Sequence, residues 1–185
     1  MSRGKNLLTT PFVLDNIYLI GPMGVGKSTI GRKLAERFEL TFKDSDHEIE
    51  QRTGASIPLI FDIEGEAGFR KREQAVIDDL TQLSQLILAT GGGVVVNVDN
   101  RHALKERGLV IYLHASVDTL LERTAFCRNR PLLQTEDPRT RLQELMDVRH
   151  PLYEEIADIT VETGDKTILQ VVKVITKRIK RLQNL

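Results

Sequence analysis

The sequence holds a single cysteine, Cys127, among 185 residues. An internal disulfide is therefore excluded, and the chain suits a reducing cytoplasm. No apolar run approaches the length of a membrane span. Arg3 and Lys5 near the amino terminus are not followed by a sustained apolar core, so no signal peptide is expected. Residues 1–14 read as a loosely ordered lead-in. Neither sign of charge is in excess, because 26 Lys plus Arg face 26 Asp plus Glu. No overall basic field then points to nucleic acid. The histidines at 47, 102, 114 and 150 lack metal-ligand spacing and read as structural or exposed. No internal repeat or low-complexity segment breaks the chain. Hydrophobic content of 41% and charged content of 28% are ordinary for a globular protein. One domain spanning 1–185 with a real core, and a monomer, are the expectations.

What is present begins with Gly21-Pro22-Met23-Gly24-Val25-Gly26-Lys27-Ser28-Thr29, which fits G-x-x-x-x-G-K-[ST]. Ile17–Ile20 in front reads as a buried strand. Ile30, Leu34 and Phe38 behind form the stripe of an amphipathic helix. Strand, glycine loop and helix is the setting in which this motif captures phosphate. The glycines let backbone N–H groups point inward, and the helix start adds partial positive charge. Gly24, Val25, Gly26 and Thr29 would supply loop backbone. Lys27 would reach the β- and γ-phosphates of ATP, and Ser28 would ligate Mg²⁺.

Further strands are expected at Leu40–Lys43, Leu86–Ala89, Leu109–Leu113 and Asp158–Val161. A short helix should start at Pro58, and a longer one should run from Glu64 to Gln82 with Phe69, Val76, Leu80 and Leu83 on one face. Helices are also expected from about Asp99 to Arg107, from Ser116, up to Arg149, and at the end of the chain. The last buries Ile168, Val171, Val172, Ile175, Ile179 and Leu182, and its basic end reads as a solvated face. Strands alternating with helices give an α/β fold with a parallel sheet, whose ligands bind beyond the carboxyl ends of the strands. The first three strands end in the phosphate loop, in Asp44-Ser45-Asp46 and in Gly91-Gly92-Gly93.

Asp44 is the candidate for holding Mg²⁺, and Asp46 for accepting the proton or hydrogen bond of an acceptor hydroxyl. Against this, one of the two aspartates could simply cap the helix starting near His47. Three glycines offer a ligand bare backbone and N–H donors, although they can also make a turn. Arg70 sits near a helix start, where a cation gains nothing from the dipole. Arg70 and Arg149 would recognise a carboxylate by forked hydrogen bonds if they converge. Residues from about 123 to 138, carrying Arg123, Arg128 and Arg130, read as a lid, against an ordinary exposed loop.

Together with Gly68-Phe69-Arg70-Lys71-Arg72-Glu73, Arg130-Pro131-Leu132-Leu133 and Arg149-His150-Pro151-Leu152-Tyr153, these motifs closely resemble the shikimate kinase family. The resemblance implies phosphorylation of the 3-hydroxyl of shikimate by ATP, on the route to chorismate and the aromatic amino acids. It also implies the three-layer α/β/α fold of P-loop nucleoside monophosphate kinases. That fold has a five-stranded parallel sheet, a helical substrate-binding region (here about 44–82) and a mobile lid (about 123–138). By the likeness, Lys27 and Ser28 serve phosphate and Mg²⁺, with Asp44 on the metal side and Asp46 at the reacting hydroxyl. Arg70, Glu73, Gly91, Gly92, Gly93 and Arg149 bind shikimate. Arg130 meets the transferring phosphate, and Arg123 packs on adenine. Alternatives are a kinase of another small hydroxy acid such as gluconate, a nucleotide kinase, or an ATP-binding regulatory module without turnover.

Overall fold

The computed structural model of the chain describes residues 15–125 and 137–183. Strand β1 (Asn16–Ile20) is buried along its whole length, as a central strand covered on both faces must be. It passes through the glycine loop into α1 (Lys27–Phe38), where Ile30 and Leu34 are fully buried. Edge strand β2 (Thr41–Asp44) follows, then α2 (Ser45–Thr53) and α3 (Ile57–Thr81). After β3 (Leu86–Ala89), a 3-10 turn at Val94–Val96 leads into α4 (Val98–Arg107) and β4 (Leu109–His114). The order ends with α5 (Val117–Thr124), α6 (Pro138–Ile156), β5 (Ile159–Glu162) and α7 (Ile168–Gln183).

Among the described residues the five strands pair in parallel in the order β2-β3-β1-β4-β5. Alternation along β1 divides the core into two layers. Ile17 and Leu19 pack with Ile30, Leu34, Met146 and Ile175 on one face. Tyr18 and Ile20 pack with Ile49, Val76, Leu104 and Tyr153 on the other. The expected α/β/α architecture results. Register then sets the site: Asp44 lies beside Ala89, and Ala89 beside Leu19. The segments leaving β2, β3 and β1 therefore emerge side by side. No helix among the described residues is long and apolar enough to cross a membrane.

Some details depart from the sequence expectation. The two helices expected after Ser56 meet end to end at Gly65, whose φ of 69° and ψ of −178° break the helical path. Leu83 lies beyond the end of α3 and is 47% exposed, so it leaves the face it was expected to share with Leu80. Leu182 is likewise exposed near the end of α7. Helix α6 does not stop at Arg149 but runs through Pro151 to Ile156. An interior proline costs roughly 3 kcal/mol. Burying Tyr153 and Ile156 beyond it offsets that cost, at about 1.5–3 kcal/mol for each large side chain.

Candidate active site

The phosphate loop owes its shape to glycine. Gly24 and Gly26 have φ of +79° and +98°, the left-handed region that other residues rarely adopt. A Cβ on Gly24 would also lie 2.6 Å from the Thr124 methyl. Val25 gives its side chain to the core and leaves its backbone to the loop, while Thr29 is exposed in the first turn of α1. Helix α1 starts at Gly26 with no side-chain cap and no acidic residue in its first turn. By contrast α2, α4, α5 and α6 are capped by Asp44, Asn97, Ser116 and Asp137. The α1 end thus keeps N–H groups and positive potential for an anion. Lys27 is buried, and its Nζ donates to the carbonyls of Gly21 and Pro22, both at 2.8 Å.

Asp44 does two things with two oxygens. Oδ1 accepts from the backbone N–H of Asp46 and His47 and so caps α2. Oδ2 accepts from the Ser28 hydroxyl at 2.5 Å. The cap locks the carboxylate, so its free edge is aimed at the phosphate loop. Capping and metal binding, weighed as alternatives for this motif, are compatible here. Two hard oxygens side by side fit Mg²⁺, which keeps several waters and takes phosphate oxygens. Among the described residues no group of three or more His, Cys, Asp or Glu could form an all-protein cage.

The glycine triplet lies against the acceptor side. A Cβ on Gly91 would be 2.7 Å from Asp46 Oδ1 and 2.8 Å from Glu73 Oε1, and one on Gly93 would overlap the Arg70 guanidinium. One on Gly92 would press against the Met23 backbone nitrogen at 3.2 Å, so the triplet also touches the phosphate loop. A side chain at Gly91 or Gly93 would displace the polar groups of Asp46, Glu73 or Arg70.

Arg70 and Arg149 converge here from α3 and α6. Arg70 bonds Glu73 Oε2 at 2.7 Å and Glu66 Oε1 at 2.9 Å. Burial pulls the Arg70 guanidinium down, but these two carboxylates outweigh it and leave it raised. Arg149 is 5% exposed, and among the described residues its hydrogen bond runs to a neutral group, the Gly92 carbonyl at 3.4 Å. Burial and the like charge of Arg70 hold it below its ordinary value, with Tyr153 opposing them. A buried cation facing a second cation, with no carboxylate in ion-pair distance among the described residues, suits an anion.

Burial also lifts the Glu73 carboxyl above its ordinary 4.5, and Arg70 opposes this only in part. Between the ordinary and the raised value, the unfolded chain has released this proton and the folded chain has not. Folding stability should therefore fall as pH rises across that interval and level off above it. Glu73→Gln should lack that component, so urea midpoints of parent and variant should shift apart in the variant's favour from about pH 4 upward. Parallel midpoints would contradict the assignment.

Arg123 reaches the turn after β5, bonding Thr163 Oγ1 at 3.1 Å and the Gly164 carbonyl at 2.6 Å. Its Cβ is 3.8 Å from the Cβ position of Gly24, so the base of this side chain borders the phosphate loop. Arg130, Arg128, Cys127 and most of the expected lid lie outside the described residues. His114 pairs with Glu162 at 2.5 Å, and His150 bonds the Tyr112 hydroxyl at 2.8 Å, which fits structural roles. Two residues carry more than the sequence reading gave them. Ser45, fully buried, accepts from the Gly91 N–H at 3.0 Å and ties β2 to the triplet. Tyr153 donates to the Gly92 carbonyl. Its place four residues after Arg149, on the same helical face, was the available signal.

Comparison with known proteins gives one answer. The shikimate kinase family model matches residues 23–180. A shikimate kinase of Pseudomonas paraeruginosa is 56% identical over 167 residues, covering 90% of this chain and 97% of that protein. A shikimate kinase from Acinetobacter baumannii, solved in complex with shikimate, superposes with a TM-score of 0.90 at 50% identity, covering 91% of this chain and 94% of that one. A gluconokinase from Sinorhizobium meliloti has a TM-score of 0.63 at 19% identity, a likeness of fold alone. The chain belongs to the shikimate kinase family.

Proposed function

We propose that the chain transfers the γ-phosphoryl group of ATP to the 3-hydroxyl of shikimate, giving shikimate 3-phosphate and ADP in aromatic amino acid biosynthesis. The observation that carries this is the convergence of Arg70, Arg149 and Asp46 on the bare backbone of Gly91–Gly93, against the phosphate loop. Shikimate is a small carboxylate bearing hydroxyls. The two guanidinium groups take its carboxylate, the triplet lies along its ring, and Asp46 accepts from the reacting hydroxyl.

Lys27 exchanges its two loop carbonyls for the β- and γ-phosphates, so charge on the nucleotide replaces neutral acceptors. Ser28 and Asp44 would hold Mg²⁺, which would supply positive charge against the phosphates of the nucleotide. Asp46 draws the hydroxyl proton as the oxygen attacks in line, and the loose transition state leaves most of the work to positioning and electrostatics. Glu73 braces Arg70. Arg123, fixed by Thr163 and Gly164, borders the adenine. Residues about 44–82 form the acceptor-binding region and about 123–138 the lid of one cytoplasmic, monomeric kinase domain.

Arg130 within the lid meets the transferring phosphate. Arg130→Ala should lower kcat by about 10²–10³-fold while ATP affinity changes little, the pattern of an interaction made in the transition state. An unchanged kcat would dismiss that role. The reaction itself is tested by ³¹P NMR of the product formed from ATP, Mg²⁺ and shikimate. The proposal predicts one phosphomonoester coupled to the proton on C3. A signal coupled elsewhere, or free phosphate alone, would contradict it.

A further inference from the structure

The glycine triplet gains its close approach to ligand by giving up side chains, and with them its own rigidity. Something outside the triplet must hold it. Ser45 fixes the Gly91 N–H, and Val94 and Val96 donate to the carbonyls of Gly91 and Gly93 in the following turn. The Gly92 carbonyl is held from the other side of the site. The Tyr153 hydroxyl donates to it, and Arg149 donates to the same carbonyl at 3.4 Å. Tyr153 is 0% exposed, and its ring stacks on Tyr112 with centroids 4.9 Å apart. The hydroxyl is thus fixed in a dry pocket between the carboxylate-binding cation and the backbone beside the phosphate loop.

We propose that Tyr153 is a positioning residue for phosphoryl transfer. Its hydroxyl couples Arg149 to the Gly92 peptide, so that anchoring the acceptor's carboxylate also sets the distance between the acceptor and the nucleotide. The proposal rests on the reading of this site as the acceptor site. Without the hydroxyl, the Gly92 carbonyl loses its buried donor and keeps only the long contact to Arg149, while the aromatic stack keeps its shape.

Tyr153→Phe should lower kcat/KM for shikimate by about 10- to 100-fold through both kcat and KM, with KM for ATP within about twofold of the parent. Tyr112→Phe is the matched control. It removes a hydroxyl from the same stack, one that bonds His150 rather than the triplet, and should leave shikimate kcat/KM within about twofold. Thermal melts of both variants accompany the kinetics and should show similar small losses. The proposal is overturned if Tyr153→Phe spares shikimate turnover, if it weakens ATP and shikimate alike, or if Tyr112→Phe reproduces the defect. Failure of the parent to phosphorylate shikimate would remove the functional reading and Tyr153's role with it. Parent turnover with an unaffected Tyr153→Phe would remove the role alone.

Discussion

Asp46→Asn should lower kcat by about 10²–10⁴-fold, the range for losing a positioned general base, while ATP affinity stays within about threefold. The substitution keeps the shape of the side chain that crowds Gly91, where Asp46 Oδ1 stands 2.7 Å from a Cβ position. It leaves untouched the Ser28–Asp44 contact and the Lys27 contacts, which belong to the nucleotide side. What is lost is the charge that draws a proton from the attacking hydroxyl. Single-turnover kinetics with nucleotide binding followed separately would divide the two effects. A variant with normal kcat, or one whose defect lies in ATP binding, would take the base role from Asp46 and return it to the helix-start geometry that Asp44 already serves.

The second large effect belongs to Arg149. Arg149→Ala should weaken shikimate by about 2–5 kcal/mol, the cost of truncating one partner of a buried charge pair. That corresponds to roughly 30-fold to several thousand-fold in affinity. The effect should be confined to the acid, because the hydrogen bond of Arg149 among the described residues goes to the Gly92 carbonyl and not to the phosphate loop. Arg149→Lys should recover only part of the loss, since an ammonium keeps the charge but not the fork. Calorimetric titrations of ATP and shikimate into each variant read this directly. Equal weakening of both ligands, with a lowered melting temperature, would mark Arg149 as a folding residue instead.

How far these roles were legible depended on how local their signals are. Leu86–Ala89 was readable to the residue, because an uninterrupted apolar run can only be a fully covered strand in this alternating pattern. The phosphate loop was readable because its glycines, lysine and serine act within one turn of chain. Helix α2 was read only as a start near His47, with no face or end, since only Ser45 and Ile49 are buried in it and no stripe forms. Leu83 keeps the helical spacing from Leu80, but the helix has already ended at Thr81. Pro151 looked like a stop, because a sequence pattern does not display the burial of Tyr153 that carries α6 past it.

The acceptor site divides in the same way. Arg70, Arg149 and Asp46 could each be named from the sequence, but their meeting could not. Register along β1, β2 and β3, together with the packing of α3 and the Tyr153 end of α6 against one face, brings them to one place. Ser45 acts through a bond to a backbone atom across the sheet ends, which no spacing rule reports, and the only sequence signal for Tyr153 was its spacing from Arg149.

If two arginines hold the carboxylate and one hydroxyl is aimed at the phosphate, the site discriminates by acceptor. ADP release with ATP and Mg²⁺ in a coupled assay, comparing shikimate, gluconate, nucleoside monophosphates and no acceptor, measures this directly. Strong turnover is expected with shikimate and only background with the others. Turnover with gluconate or a nucleotide in place of shikimate would contradict the acceptor site. Folded protein that binds ATP but turns over no acceptor would contradict the kinase reading altogether.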